Sequence, residues 1–361
     1  MFGFSVYLNR DLLPDDESSI HHMSRLGFEG IFTSLQIPED DPASYRKRLW
    51  NLMDIAKREK LSLMIDVSGR ALETVGLSVN DPSSIKKKGI SGLRIDGGLS
   101  MKSVAALSHF ITIALNASTL SEEDYRALNK YHADFTHIEA WHNYYPRPET
   151  GLDSSWLRTR NRWLKEKGMT VAAFAPGDSE LRGPIYRTLP TLEAHRYLNP
   201  LAAALSLIMH SQTDRVYIGD PHLTKHTQKQ FSMYIQDKAI LLQGKAVDEK
   251  WSSSIFRKHV NRPDPARDVI RSRYSRSVNR MMEITAENTS ARNRGTITID
   301  NDQYGRYKGE IQIVKHPLPP DSKVNVIGHI SSRDLPLIDF IEQGTEFIVE
   351  GKSYDVRKIN D

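Results

Sequence analysis

The chain has 361 residues and no cysteine. That absence excludes a disulfide framework, a thiolate nucleophile and a Cys-ligated zinc centre. Two other signatures are missing. Without a GxSxG turn there is no nucleophile elbow for a Ser-His-Asp hydrolase. Without HExxH or any compact His/Asp spacing, the thirteen histidines give no metal site, and neither a metal nor another cofactor is expected. Long apolar runs are also lacking, since none approaches the ~18 residues of a membrane span. The opening "MFGFSVYLNRDLLPDD" does not place positive charge ahead of an apolar core as a signal peptide does. These features point to a cytoplasmic protein without a membrane partner, and they leave the oligomeric state open.

What is present fits a globular protein, with 39% hydrophobic and 26% charged residues. The formal net charge is only +4, but it is unevenly placed: Arg257 to Arg280 holds eight Lys/Arg against two Asp. A nucleic-acid surface is one reading of that run. With no aromatic interleaving, a solvated basic segment is the better one, and no nucleic-acid partner is expected.

Apolar runs of strand length recur at 2–8, 30–35, 61–67, 92–96, 111–117, 135–141, 170–176 and 215–220. Amphipathic stretches such as 41–60 and 121–132 lie between them and begin with acidic or small polar residues, as helix N-termini do. Eight strand–helix repeats within some 240 residues predict a (β/α)8 barrel over residues 1–240. A doubly wound sheet is the rival, but "NRDLLPDD" after the first strand is no glycine-rich phosphate loop. From Gly295 the pattern changes to alternating residues with "DN", "YG" and "PPD" turns, a small all-β domain. Residues 241–294 read as a partly helical, Arg-rich connector, so that 241–361 forms linker plus β domain.

Barrels carry chemistry at the C-terminal ends of their strands. Those ends are polar here: Asp66 and Ser68, Asp96, Asn116 and Ser118, then Asp178 and Asp220. Capping of the following helix accounts for Asp178 and Asp220, whereas Asp66 and Asp96 point to the mouth. The stretch "HIEAWHNYYPRPETGL" (137–152) is the densest, with Glu139, His142, Asn143, Tyr144, Tyr145 and Arg147. Burying such groups without partners costs ~1–3 kcal/mol each. If Ile138 faces the helices, Glu139 faces the barrel interior. Paired carboxylates across a sugar-sized opening suit glycoside hydrolysis, and Trp141, Tyr144 and Tyr145 suit sugar faces. A barrel isomerase or lyase acting on a sugar phosphate is the alternative. A Schiff-base aldolase needs a strand-end lysine, which none of the eight strands supplies.

"IFTSLQIPEDD", "LNAST", "EAWHNYYPRPETGL", "RGPIYRTLPTLEAHR" and "YIGDP", with "GTITIDN" and "YKGEIQI", resemble the 6-phospho-N-acetylmuramidase family from Gly3 to about residue 350. The resemblance implies a TIM barrel followed by a cyclophilin-like β domain. It also implies hydrolysis of a small phosphorylated disaccharide, N-acetylmuramic acid 6-phosphate linked to N-acetylglucosamine, during peptidoglycan recycling. One departure is Gly97-Gly98 after the strand-four aspartate. On this reading Asp96 and Glu139 form the catalytic pair, with Asp66 in reserve. Asn116, Asn143 and Tyr145 orient the sugar. Arg147 and Arg182 are candidates to grip the phosphate bidentately. His195 with Arg196 is a further candidate, and Arg306 with Tyr307 of the β domain is a candidate cover.

Overall fold

The computed structural model describes residues 1–35, 42–67, 72 and 75–351. Ser68 and residues 36–41 of the first family motif lie outside the described residues. Two compact units divide the chain, Met1–Gln228 and Lys229–Asp361.

All eight expected strands form the first unit: β1 (Phe2–Ser5), β2 (Gly30–Ser34), β3 (Ser62–Val67), β4 (Gly92–Ile95), β5 (Thr112–Asn116), β6 (Ile138–Trp141), β7 (Thr170–Ala175) and β8 (Arg215–Ile218). They are parallel and close into a barrel, β8 pairing back to β1. Both faces of each strand are covered, one by helices and one by the barrel interior, which is why the runs are apolar rather than alternating. Intervening helices include α1 (Pro14–Arg25), α2 (Pro42–Arg58), α3 (Pro82–Lys87), α4 (Met101–Ser108), α5 (Glu122–Lys130), α6 (Ser154–Glu166), α7 (Pro200–Ser211) and α8 (Lys225–Asp237). Their starts are capped as the sequence suggests. Ser121 and Asp124 bond each other's backbone N–H, and the Asp153 and Asn199 side chains each accept two backbone N–H groups.

The barrel interior is a packed aromatic layer, with Trp141 4.6 Å from Tyr217 and Phe32 5.0 Å from Phe174 between ring centroids. Glycine makes room for it. A Cβ on Gly3 would stand 2.2 Å from the Tyr217 ring, and one on Gly30 2.5 Å from its hydroxyl. This layer divides the inside of the barrel into a floor and a mouth.

The second unit holds a seven-stranded sheet in the order β10-β15-β9-β14-β12-β13-β11. Its strands are β9 (Ile240–Ala246), β10 (Lys258–Val260), β11 (Val269–Arg271), β12 (Thr296–Asp300), β13 (Ile311–Val314), β14 (Val324–Ile330) and β15 (Glu346–Gly351). The segment expected to be a connector, 241–294, therefore supplies three strands of this sheet. Much of its basic charge is paired internally: Arg262 with Asp264, Arg267 with Asp268, and Arg271 and Arg276 with the buried Glu310.

Candidate active site

Register sets the mouth. Ser34 lies beside Asp66, and Asp66 beside Arg94, on three neighbouring strands at their C-terminal ends. Arg94 is 3% exposed, and its guanidinium organises the group. One amino group donates to Asp66 Oδ1 at 2.7 Å; the other donates to Asn143 Oδ1 and, at 3.4 Å, to Asp96 Oδ1. Ser34 donates to Asp66 Oδ2 at 3.1 Å, and Asn116 Nδ2 to Asp96 Oδ1 at 3.0 Å. Two carboxylates thus converge on one cation. They differ in environment: Asp66 is buried, whereas Asp96 keeps 34% of its side chain exposed. Burial pushes the Asp66 carboxyl above the usual range, against the opposing pull of Arg94.

Ser34, Asp66, Arg94, Asp96 and Asn143, with Phe32, Tyr144, Phe174 and Arg182, line a cavity of about 230 Å³, and Asn116 stands behind Asp96 outside that lining. Arg182 comes from the β7–α7 loop. Its guanidinium lies 3.9 Å over the Tyr7 ring and donates to the Tyr144 hydroxyl. Among the described residues no carboxylate pairs with it. The loop is tied down by Asp220, a buried carboxylate that accepts backbone N–H groups from Gly177 and Leu189 at 2.8 and 2.9 Å and from Arg182 at 3.4 Å. Asp178 accepts from Thr224 N–H at 2.8 Å just before α8. Both roles are structural but differ from the capping expected: Asp178 caps α8 rather than the helix after its own strand, and Asp220 anchors the β7–α7 loop rather than a helix start.

Several expectations are corrected. Glu139 does point inward, but it is the second residue of β6, below the aromatic layer. The residue is 4% exposed, and its carboxylate accepts from the Trp141 indole at 2.7 Å and pairs at 3.0 Å with Arg215, the first residue of β8. It does not line the mouth, so the expected pairing with Asp96 is not made. Asp66, held in reserve, is the carboxylate that shares Arg94 with Asp96. His195 is buried at 3.2 Å from Ser206 Oγ, and burial drives it down to about 4, leaving a neutral core histidine. His142 is likewise buried, bonded to Asn161 and pushed down to about 4. Arg196 is a buried brace, gripping Glu193 and the carbonyls of Tyr145, Arg147, Arg187 and Thr188. The Arg147 side chain is exposed, and its carbonyl serves that brace. Tyr145 is half-buried beside Ser118, not on the mouth lining. Arg306 belongs to the second unit, where it donates to the Tyr307 hydroxyl at 2.9 Å.

Sequence reasoning missed Arg94, Ser34 and Tyr7. The signal for Arg94 was its phase: it stands between Gly92 and Asp96 on the inward face of an apolar strand, where a cation needs acidic company. Among the described residues no three His, Asp or Glu side chains cluster as a metal centre requires.

A closed (β/α)8 barrel with carboxylates converging on a sugar-sized mouth is the frame of a barrel glycosidase, and family comparison gives the same class. Residues 2–233 match the model described as 6-phospho-N-acetylmuramidase, N-terminal, and residues 241–350 the model described as 6-phospho-N-acetylmuramidase, C-terminal. The chain belongs to the 6-phospho-N-acetylmuramidase family and is a glycosidase. Among solved structures it is similar to a conserved Enterococcus faecalis protein of unknown function, at 44% identity and a TM-score of 0.92 over 98% of this chain and 97% of that one. An uncharacterized Bacillus cereus protein shares the fold at 24% identity and a TM-score of 0.73, over 96% and 98% of the two chains. No curated protein sequence matches.

Proposed function

We propose that the protein hydrolyses 6-phospho-N-acetylmuramyl glycosides, with N-acetylmuramic acid 6-phosphate linked to N-acetylglucosamine as substrate, in cytoplasmic peptidoglycan recycling. The observation that carries this reading is the pair Asp66 and Asp96 bound to one guanidinium at the barrel mouth. Hydrolysis breaks the bond between C1 and the glycosidic oxygen, adds water at C1 and delivers a proton to the departing oxygen. Asp66, its carboxyl raised by burial, is the proton donor. Asp96, more exposed and fixed by Asn116 and Arg94, faces the anomeric carbon as nucleophile or as base toward water. Asn143 and Asn116 orient the 2-acetamido group, and Arg182, a cation without an acidic partner among the described residues, takes an anionic substituent of the phosphosugar.

Incubation with the phosphodisaccharide tests this directly. Free N-acetylglucosamine should accumulate, and Asp66→Asn and Asp96→Asn should each lower kcat by roughly 10²-fold or more. Absence of released sugar from the wild-type protein would refute the function; full turnover by Asp96→Asn would refute the role of that residue.

A further inference from the structure

A second cavity, of about 530 Å³, opens between β1, α1 and the loops that follow β7 and β8. It is more than twice the size of the mouth cavity, and Arg182 lines both. The Arg182 side chain, stacked on Tyr7, therefore borders both hollows.

The chemistry of the larger compartment is distinct. Its floor is apolar, built from Phe4, Ile20, Met23, Ile218 and Leu223. Uncharged polar side chains also line it, Ser19 on α1 and Gln228 on α8, whose Nε2 donates to the Leu223 carbonyl at 2.9 Å and whose Oε1 stays open to a ligand. Besides Arg182 on its border, the charged groups lining it have partners: both Arg10 amino groups bond Asp16, at 2.6 and 2.9 Å, and Glu180 stands 3.6 Å from the His222 ring. Matched charges offer little to an incoming anion, since its desolvation would go uncompensated. A neutral ring with an apolar C–H face and hydroxyl or amide edges fits both floor and rim, and the volume falls in the range of small-ligand sites. Arg182, which pairs with no carboxylate among the described residues, stands where the two hollows meet.

From this division we infer that the β1/β8 compartment holds the neutral amino sugar that leaves, while the phosphorylated sugar stays at the carboxylates with its anionic substituent on Arg182. The inference rests on the proposed hydrolysis and adds the recognition of the leaving group.

The test compares two substrates with the same phosphosugar, the disaccharide and the glycosyl fluoride, whose leaving group is a single atom. Ser19→Trp puts an indole into the compartment from a half-exposed helix position. It should lower the ratio of kcat/KM for disaccharide over fluoride at least tenfold. Gln228→Leu, which removes an amide from the rim, should lower the same ratio about threefold and serves if Ser19→Trp does not fold. An unchanged ratio in a folded variant overturns the assignment while leaving the hydrolysis intact. Wild-type protein that cleaves neither substrate overturns both.

Discussion

Replacing Glu139 by Gln separates a supporting acid from a catalytic one. The carboxylate sits 3.0 Å from Arg215 and 2.7 Å from the Trp141 indole nitrogen, beneath the aromatic layer. A unit charge pair at 3.0 Å in an effective dielectric of about 20 attracts by ~5–6 kcal/mol. Arg215 keeps 32% of its side chain in water, which screens part of this. The net cost of losing the acid should therefore fall near ~3 kcal/mol, the low end for breaking a buried pair. Glutamine can keep the indole bond, but it leaves the guanidinium without a counter-charge. At ~2–4 °C per kcal/mol for a unit of this size, the barrel should melt about 6–12 °C lower. Thermal unfolding followed by circular dichroism measures this, and kcat at a temperature where the variant is folded should stay within about threefold of wild type. The double substitution Glu139→Leu with Arg215→Met should recover most of the loss, because an apolar pair needs no desolvation. An unaltered melting temperature combined with a hundredfold loss of kcat would return Glu139 to the chemistry and defeat this reasoning.

Removing the guanidinium in Arg94→Met takes away the influence that opposes burial at Asp66, so that carboxyl rises further. If Asp66 donates the proton, the loss of kcat/KM at high pH should shift to higher pH, and a limb that stays put rules Asp66 out as the donor. His142, held near 4 by burial against an ordinary value of 6.5, is protonated first in the unfolded chain. Its contribution is complete above pH 6.5 and disappears as pH falls toward 4, by up to about 3 kcal/mol at ~1.4 kcal/mol per unit. Urea midpoints of His142→Gln should accordingly depend less on pH between 7 and 4.5 than those of wild type; parallel curves would contradict this. Asp220→Ala strands three backbone N–H groups of the β7–α7 loop and should cost ~2–4 kcal/mol while raising KM more than it lowers kcat, because Arg182 loses its anchor. Steady-state kinetics with KM unmoved would break the link between Asp220 and Arg182.

The barrel was legible because its strands are covered on both faces. An apolar run of four to seven residues between helical segments, repeated at this spacing, fits a strand buried on both sides and little else. Asp66 and Asp96 were legible for the complementary reason, as carboxylates that end such runs where the chain reaches the mouth. Strands β9 to β11 were not, because they are short or lie in a segment whose arginines dominate its composition. The neutral cores around His142 and His195 were hidden too: a histidine gives the same letter whether it meets a ligand or an asparagine side chain.

The misreading of Glu139 has a more general cause. Alternation along a strand says which face a side chain takes, but not how deep inside the barrel it lies. Depth depends on distance from the strand's end and on what closes over the residue. Two arginine–acid groups make the contrast. Arg215 serves one buried carboxylate, which also accepts from an indole, so both oxygens of that carboxylate are spoken for. Arg94 serves two carboxylates and an amide, and one of those carboxylates remains a third exposed on a cavity wall. Both cations have a buried acidic partner, yet of the two only the second leaves a carboxylate oxygen facing a space that a substrate can fill. That residual capacity, rather than the presence of an inward acid, distinguishes a reacting group from a brace.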